Sequence, residues 1–135
     1  MNKAVLDTDI LSAIMRQDVS AFDKARLYLA SHSHLTISLI TRYEILRGLA
    51  AKNASKQIAN FDKLCETLVV LPITDAIVVR AASIYGHLRQ TGKPTGDADI
   101  LIAATALENG CEIVTNNTSH FSPIQKLVVR NWLAK

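Results

Sequence analysis

Apolar positions along this chain fall into short runs that alternate with longer stretches of helical spacing. Lys3 to Leu6 is a brief apolar run ending at Asp7, and Asp9 to Arg16 then takes up helical periodicity through Ile10, Leu11 and Ile14. Ser20 to Ala30 predicts a second helix with Phe22, Ala25, Leu29 and Ala30 as its apolar side, and Leu35 to Ser38 predicts a second strand. A third helix follows at once, with Leu39, Ile40, Tyr43 and Leu46 in helical register and Glu44 and Arg47 off that stripe. Lys52 to Ser55 is polar and reads as a turn. Gln57 to Leu68 reads as a helix with Ile58, Phe61, Leu64, Cys65 and Leu68 inward, and Val69 to Leu71 as a third strand.

The longest helical pattern opens at Asp75, runs through Ile77, Ala81, Ile84 and Leu88, and stops at Thr91 and Gly92. Thr91 to Gly96 is the turn-rich segment of the chain. It leads into the stretch TGDADILIAATALENG, Thr95 to Gly110, in which Thr105 is the only polar side chain between Ile100 and Leu107. A helix that is apolar nearly all round is buried in its domain, and Gly110 stands where a left-handed residue commonly ends a helix. Ile113 to Thr115 and Leu127 to Val129 predict a fourth and a fifth strand. Strands alternating with helices imply an α/β fold, with a mainly parallel sheet of four to five strands and helices on both faces.

Composition narrows this picture without changing it. A chain of 135 residues is the size of one domain, so residues 1–135 are expected to share a single core. Its content, 49% hydrophobic and 20% charged, is that of a soluble globular domain, and no apolar run approaches the roughly 18 residues of a membrane span. An Asp at the seventh residue leaves no room for an apolar leader, and the expected compartment is the cytoplasm. Cys65 and Cys111 have no paired spacing and carry no assigned chemistry, as befits reduced thiols. His32, His34 and His87 belong to no motif and read as surface or packing residues.

Charge adds more. The formal net charge is +3, from 15 Lys and Arg against 12 Asp and Glu. If Asp7, Glu44, Asp97 and Asp99 share one site, the rest of the chain carries 15 basic against 8 acidic residues, a surface of about +7 around an acidic hole. That pattern suits a polyanion approached through a bound cation.

The predicted topology gives the scattered acids a place to meet. Asp7 ends a central strand, at the crevice where open α/β sheets bind their ligands. Asp99 begins the apolar helix that should pack beside it, and Glu44 lies on the helix after the second strand. Asp9 reads as an ordinary first-turn acid favoured by the helix dipole, and Glu44 taken alone reads as a surface partner of Arg47. Asp97 either supplements the acids or caps its helix, and the cap is the preferred reading. Converging carboxylates repel one another unless a cation lies among them, and an all-oxygen donor set selects Mg²⁺, with Mn²⁺ as a substitute, rather than zinc. Such an ion activates water and screens a phosphodiester. Thr8, Ser12, Thr115 and Asn116 are candidates for hydrogen bonds that orient the acids. Arg47, Arg89 and Lys93 are candidates for holding a nucleic-acid backbone without reading its sequence.

These residues resemble a family, the PIN-domain ribonucleases, and within it the VapC-like toxins of bacterial toxin–antitoxin pairs. The resemblance covers nearly the whole chain. It rests on VLDTDIL with Asp7, YEILRG with Glu44 and Gly48, DADILIAATALENG with Asp99, and VTNNTSHF followed by LVVRNW. It implies a Mg²⁺-dependent endoribonuclease whose acidic triad is Asp7, Glu44 and Asp99, and so replaces the surface-pair reading of Glu44. Asp7 and Asp99 would bind one ion directly, with Glu44 acting through a bound water or on a second ion. It also implies an RNA substrate, a cognate VapB-like antitoxin and a homodimer. One position departs from the family pattern: many members carry a fourth acid before the Phe of the last block, where this chain has His120. An imidazole there is not an acidic magnesium ligand, and it either contacts phosphate, orients water or packs beside Phe121.

Two other classes compete for the same acids. Asp7-Thr8-Asp9 with a later Gly96-Asp97 is similar to haloacid-dehalogenase-type phosphatases, but Leu11 stands where those enzymes want Thr or Val. A phospho-receiver module would need an Asp ending the third strand, where this chain reads VLPIT.

Overall fold

The computed structural model describes residues 1–133. Its elements in chain order are β1 (Ala4–Leu6), α1 (Thr8–Met15), α2 (Val19–Leu29), β2 (Thr36–Ser38), α3 (Leu39–Ala51), α4 (Ser55–Cys65), β3 (Val69–Leu71), α5 (Asp75–Gln90), α6 (Asp97–Glu108), β4 (Glu112–Val114), α7 (Thr118–Phe121) and β5 (Val129–Arg130). The strands form one five-stranded sheet in the order β3-β2-β1-β4-β5, with every neighbouring pair parallel. From β1 the chain builds outward through β2 to β3 on one side and through β4 to β5 on the other. The switch of direction lies between β1 and β4, the place where open parallel sheets leave a crevice at the carboxyl ends of their strands.

Parallel strands require cover on both faces, and the core is divided accordingly. Val5 and Ile113 face one side, against Ile77, Ala81 and Leu88 of α5, Ile100, Ala103 and Ala104 of α6, and Phe121. Ala4, Leu6, Ile37 and Val114 face the other, against Ile10 and Leu11 of α1, Ala25 and Tyr28 of α2, and Phe61 of α4. Helix α3 serves both layers: Ile40 packs on the first, and Ile45, Leu46 and Leu49 on the second.

Local chemistry explains the helix starts. The Asp18, Ser38 and Thr74 side chains accept from the backbone N–H groups of Ala21, Thr41 and Ile77, satisfying donors that the helix itself cannot pair. Helix α6 ends as its sequence predicts, with Gly110 at a φ of +65°. The all-round apolar body of α6 is buried at Ile100, Ile102, Ala103, Ala104, Thr105 and Ala106. Buried Thr105 donates its hydroxyl to the Leu101 carbonyl, 2.7 Å away, which removes the cost of burying it.

The structure corrects the predicted faces of two helices. In α2 the buried stripe is Ala21, Ala25 and Tyr28, while Phe22, Leu29 and Ala30 are exposed. Helix α2 packs chiefly on α1, and the Tyr28 hydroxyl accepts from the Ala4 N–H, 3.2 Å away, so the polar tip of this aromatic finds a partner at the inner face. In α3, Leu39 and Tyr43 are exposed and Thr41 is fully buried, because the helix is wedged between two layers instead of lying flat on one. The fifth strand is Val129–Arg130, displaced toward the carboxyl end from Leu127–Val129. Helix α7, four residues long, is too short to produce a periodic signal. Among the described residues no helix is long and apolar enough to cross a membrane.

The central place of α6 has a measurable consequence. Ile102→Ala, at a fully buried site, is expected to destabilise the domain by about 2–5 kcal/mol through lost burial and a residual cavity. Chemical denaturation should show a lower midpoint with an unchanged slope.

Candidate active site

The register of the two central strands builds the site. Leu6 pairs with Val114, and the next step is sealed by the Asp7 N–H donating to the Val114 carbonyl at 2.8 Å. Asp7 and Thr115 therefore stand together where β1 and β4 end. The Thr115 hydroxyl donates to Asp7 Oδ2 at 2.8 Å, and the Thr8 backbone N–H donates to Asp7 Oδ1 at 2.7 Å. Asp7 is the N-cap of α1 and is only 5% exposed. Burial pushes its carboxyl up to about 7. The charge of Asp9 adds to that rise and the charge of Asp99 adds a little more, while the hydrogen bonds from Thr115 and Thr8 oppose it.

Thr8 carries the contact to the next acid. Its hydroxyl donates to Glu44 Oε1 at 2.6 Å and lies 3.1 Å from the Thr41 hydroxyl. Glu44 reaches this point because α3 begins directly at the end of β2, where the Ser38 cap fixes its first turn. Arg47, one turn on, places Nη2 3.7 Å from Glu44 Oε2 and stacks over the Tyr43 ring. The i, i+3 pair expected from the sequence exists, and Glu44 faces the acids all the same.

On the other side, Asp99 Oδ2 is 2.9 Å from His120 Nδ1. The Asn117 side-chain amide is 2.8 Å from the same ring nitrogen, and the Asn117 backbone N–H donates to the Thr115 hydroxyl at 2.9 Å. Polar contacts thus run unbroken from Glu44 through Thr8, Asp7, Thr115, Asn117 and His120 to Asp99. Asp7 and Asp99 lie within electrostatic reach of each other at one end of the sheet, and Glu44 is joined to Asp7 through Thr8.

Asp9 is the residue the sequence reading missed. It stands in the first turn of α1 as expected, but it also accepts from the Asn116 backbone N–H at 3.0 Å, and its Oδ1 is buried with no hydrogen-bond partner. Burial raises its pKa first of all, and Asp99 adds to the rise. The signal available was the Asp7-Thr8-Asp9 spacing at the end of a central strand, which places a second acid one step inside the helix that the first one caps.

Asp97 does not cap α6: the N-cap is Gly96, without a side-chain hydrogen bond, and Asp97 is already the exposed first helical residue. Gly96 takes the extended conformation of an N-cap, so the Asp97 backbone is helical and its carboxylate lies in the first turn, where the helix dipole favours it. Asn116 joins the site through its backbone, while its side-chain oxygen accepts from Asn131. Ser12 lines an open groove of about 820 Å³ with Thr8, Glu44, Gly48 and Phe61. Among the described residues no hydrogen bond joins Ser12 to the acids. Arg89 packs over Tyr85 at the end of α5, and Lys93 is exposed in the turn leading to α6. Of the three candidate basic residues, only Arg47 contacts an acid of the site.

The donor chemistry fits a hard divalent cation. The charged groups are carboxylates, one buried oxygen of Asp9 lacks any partner, and Asp7 carries charge that burial and its neighbours disfavour. Among the described residues no three His, Cys, Asp or Glu side chains are drawn into a ready cage. Mg²⁺ asks for less than a cage, since it binds through one or two carboxylates and keeps several waters.

Comparison with known proteins agrees with this architecture. The family profile described as PIN domain matches residues 4–127. This chain belongs to the PIN-domain family. Ribonuclease VapC2 of Rickettsia felis is 33% identical to this PIN domain over 133 residues, covering 95% of this chain and 96% of that protein. Ribonuclease VapC1 of Haemophilus influenzae is 26% identical over 129 residues, covering 95% and 96%. Among solved structures, a chain of VapBC2 from Rickettsia felis bound to a DNA fragment from its promoter has a TM-score of 0.86 at 25% identity, covering 96% of this PIN domain and 98% of that chain. Membership displaces the phosphatase and receiver readings.

Asp7 makes the metal-free PIN domain sensitive to pH in a defined direction. A carboxyl raised from 3.8 to about 7 on folding binds its proton more tightly in the folded state, so stability is lost as pH rises from about 4 through 7. The displacement corresponds to up to about 4 kcal/mol. Asp7→Asn should therefore match wild type near pH 4 and exceed it increasingly toward pH 8 in urea melts with chelator. A variant less stable than wild type across that whole range would refute the buried-charge account.

Proposed function

We propose that this PIN domain is a Mg²⁺-dependent endoribonuclease, the toxin of a VapBC-type pair, which hydrolyses RNA phosphodiester bonds. Ribonuclease activity follows from its VapC relatives, which are named as ribonucleases over nearly the full length of the chain. The observation that carries the mechanism is the polar chain linking Glu44, Asp7 and Asp99, with Asp9 close enough to Asp7 and Asp99 to feel their charge and holding a buried, unpartnered oxygen.

Asp7, Asp99 and Glu44 would hold the cation, with Asp9 beside them as an additional oxygen donor. Bound there, Mg²⁺ supplies an activated water and screening of phosphate charge. The remaining work is done by the protein. Thr115 and Thr8 fix both oxygens of Asp7, and Thr8 fixes Glu44 in the same step. Arg47, 59% exposed at its side chain and next to Glu44, offers a guanidinium to the RNA backbone at the edge of the acidic hole. Arg89 and Lys93 extend positive charge along the α5–α6 turn, outside contact with the acids.

Solved relatives include VapBC assemblies, among them the Rickettsia felis complex and a DNA-bound VapBC from Salmonella typhimurium. They support a VapB-like antitoxin partner for this chain, and homodimerisation accompanies that reading. Expression of the chain without such a partner is expected to arrest growth, and Asp7→Asn is expected to relieve the arrest.

The direct test is cleavage of total RNA by purified protein, with 5′ ends mapped, in Mg²⁺ and in chelator. Asp7→Asn and Asp99→Asn should each lower the rate about 100-fold or more, the scale of losing a group that organises charge in the transition state. Undiminished Mg²⁺-dependent cleavage in either folded variant would overturn the assignment.

A further inference from the structure

His120 remains unexplained by the acidic triad, yet it is built into the site with care. Its backbone N–H donates to the Asn117 carbonyl at 3.0 Å, its carbonyl accepts from the Thr95 hydroxyl at 3.3 Å, and the adjoining Phe121 is fully buried. The ring is thereby held against Asp99, although half of its side chain is exposed. Among the described residues Asp99 has no other hydrogen-bond partner.

The tautomer follows from the partners. A carboxylate only accepts, so the 2.9 Å contact with Asp99 Oδ2 requires a proton on Nδ1. An Nδ1–H cannot also accept from an amide N–H, so the Asn117 amide, 2.8 Å away, belongs with its oxygen toward the ring. In the neutral ring Nε2 is then bare. Asn117 is itself tied to Thr115 through its backbone, so the orientation of this imidazole is set by the same residue that holds Asp7.

We infer that His120 is a positioning residue: its Nδ1–H fixes one oxygen of Asp99 and leaves the other free to serve a divalent cation. The arrangement matches the way hydrogen-bonded carboxylates around metal sites are oriented by groups behind them. It rests on the metal reading proposed above. A His at this position keeps the site functional by directing an acid that is already present.

The side-chain geometry provides a discriminating series. Asn at position 120 carries its amide nitrogen where Nδ1 stands, whereas Gln carries it near Nε2. Calorimetric titration with MgCl₂ should show His120→Ala binding about 10-fold or more weakly, the usual scale for such supporting groups, with His120→Asn within about threefold of wild type and His120→Gln like Ala. Unchanged affinity in His120→Ala overturns the inference, and so does restoration by Gln but not by Asn, which would place the working atom at Nε2 and not at Nδ1. A wild type that fails to bind Mg²⁺ overturns the metal reading and this one together. Independently of metal, imidazole ¹⁵N spectra of the wild type, recorded at alkaline pH where the ring is neutral, should show Nδ1 protonated and Nε2 bare, a preference lost in Asp99→Ala. A dominant Nε2–H form in the wild type would refute the assignment.

Discussion

A carboxylate at the end of a buried strand is disfavoured by everything around it except the hydrogen bonds that hold it, and Asp7 is in that position. Water cannot reach it freely, Asp9 and Asp99 repel it, and the Thr115 hydroxyl and the Thr8 N–H are what oppose those effects. The rest of the site is arranged around this tension. The Thr8 whose backbone N–H donates to Asp7 also donates its hydroxyl to Glu44, and the Thr115 that donates to Asp7 accepts from Asn117. One unfavourable charge thus fixes the conformation of residues from β1, α1, α3 and the segment after β4.

The fold supplies the rigidity this requires. Parallel pairing of β1 with β4 aligns Asp7 with Thr115, and the short strands leave no slack between the register and the site. Helix α6 is buried through its middle and surfaces at its two ends, so Asp99, in its first turn, is mounted on an element whose movement would open the core. The same reasoning explains why α3 can bring Glu44 inward despite exposing Leu39 and Tyr43: its position is fixed by packing on two layers and by the Ser38 cap.

Much of this was legible from the residue pattern. The α/β alternation, the parallel sheet with β1 at its centre, the limits of α5 and the burial of α6 all follow from apolar spacing, because long helices and buried runs leave strong periodic signals. Asp7 and Asp99 were legible for the same reason, being polar residues at the ends of apolar elements. What escaped the pattern depends on contacts between distant segments. Asp9 looks like a dipole-favoured acid until Asn116, 107 residues away in sequence, donates to it. Asp97 looks like a cap because Asp is a good one, but Gly96 took the capping conformation first. In α2 the inward place of Tyr28 goes with a hydroxyl contact to Ala4 that no periodicity encodes. Glu44 lay between these cases: its pairing with Arg47 was readable locally, and its pairing with Thr8 was not.

Because the contacts form a chain and share donors, the groups of the site do not act independently. The Thr8 hydroxyl touches Glu44 and Thr41, and the Thr115 hydroxyl touches Asp7 and Asn117, so loss of either hydroxyl would disturb an acid and a neighbour together, and the effects of substitutions along the chain should be strongly non-additive. Asp9 sharpens the point. A buried oxygen without a partner is unfavourable, and it persists here beside two other acids in a site otherwise well supplied with donors. Structural hydrogen bonding alone gives no reason for that oxygen to be left bare, whereas a cation held as proposed above would give it a partner.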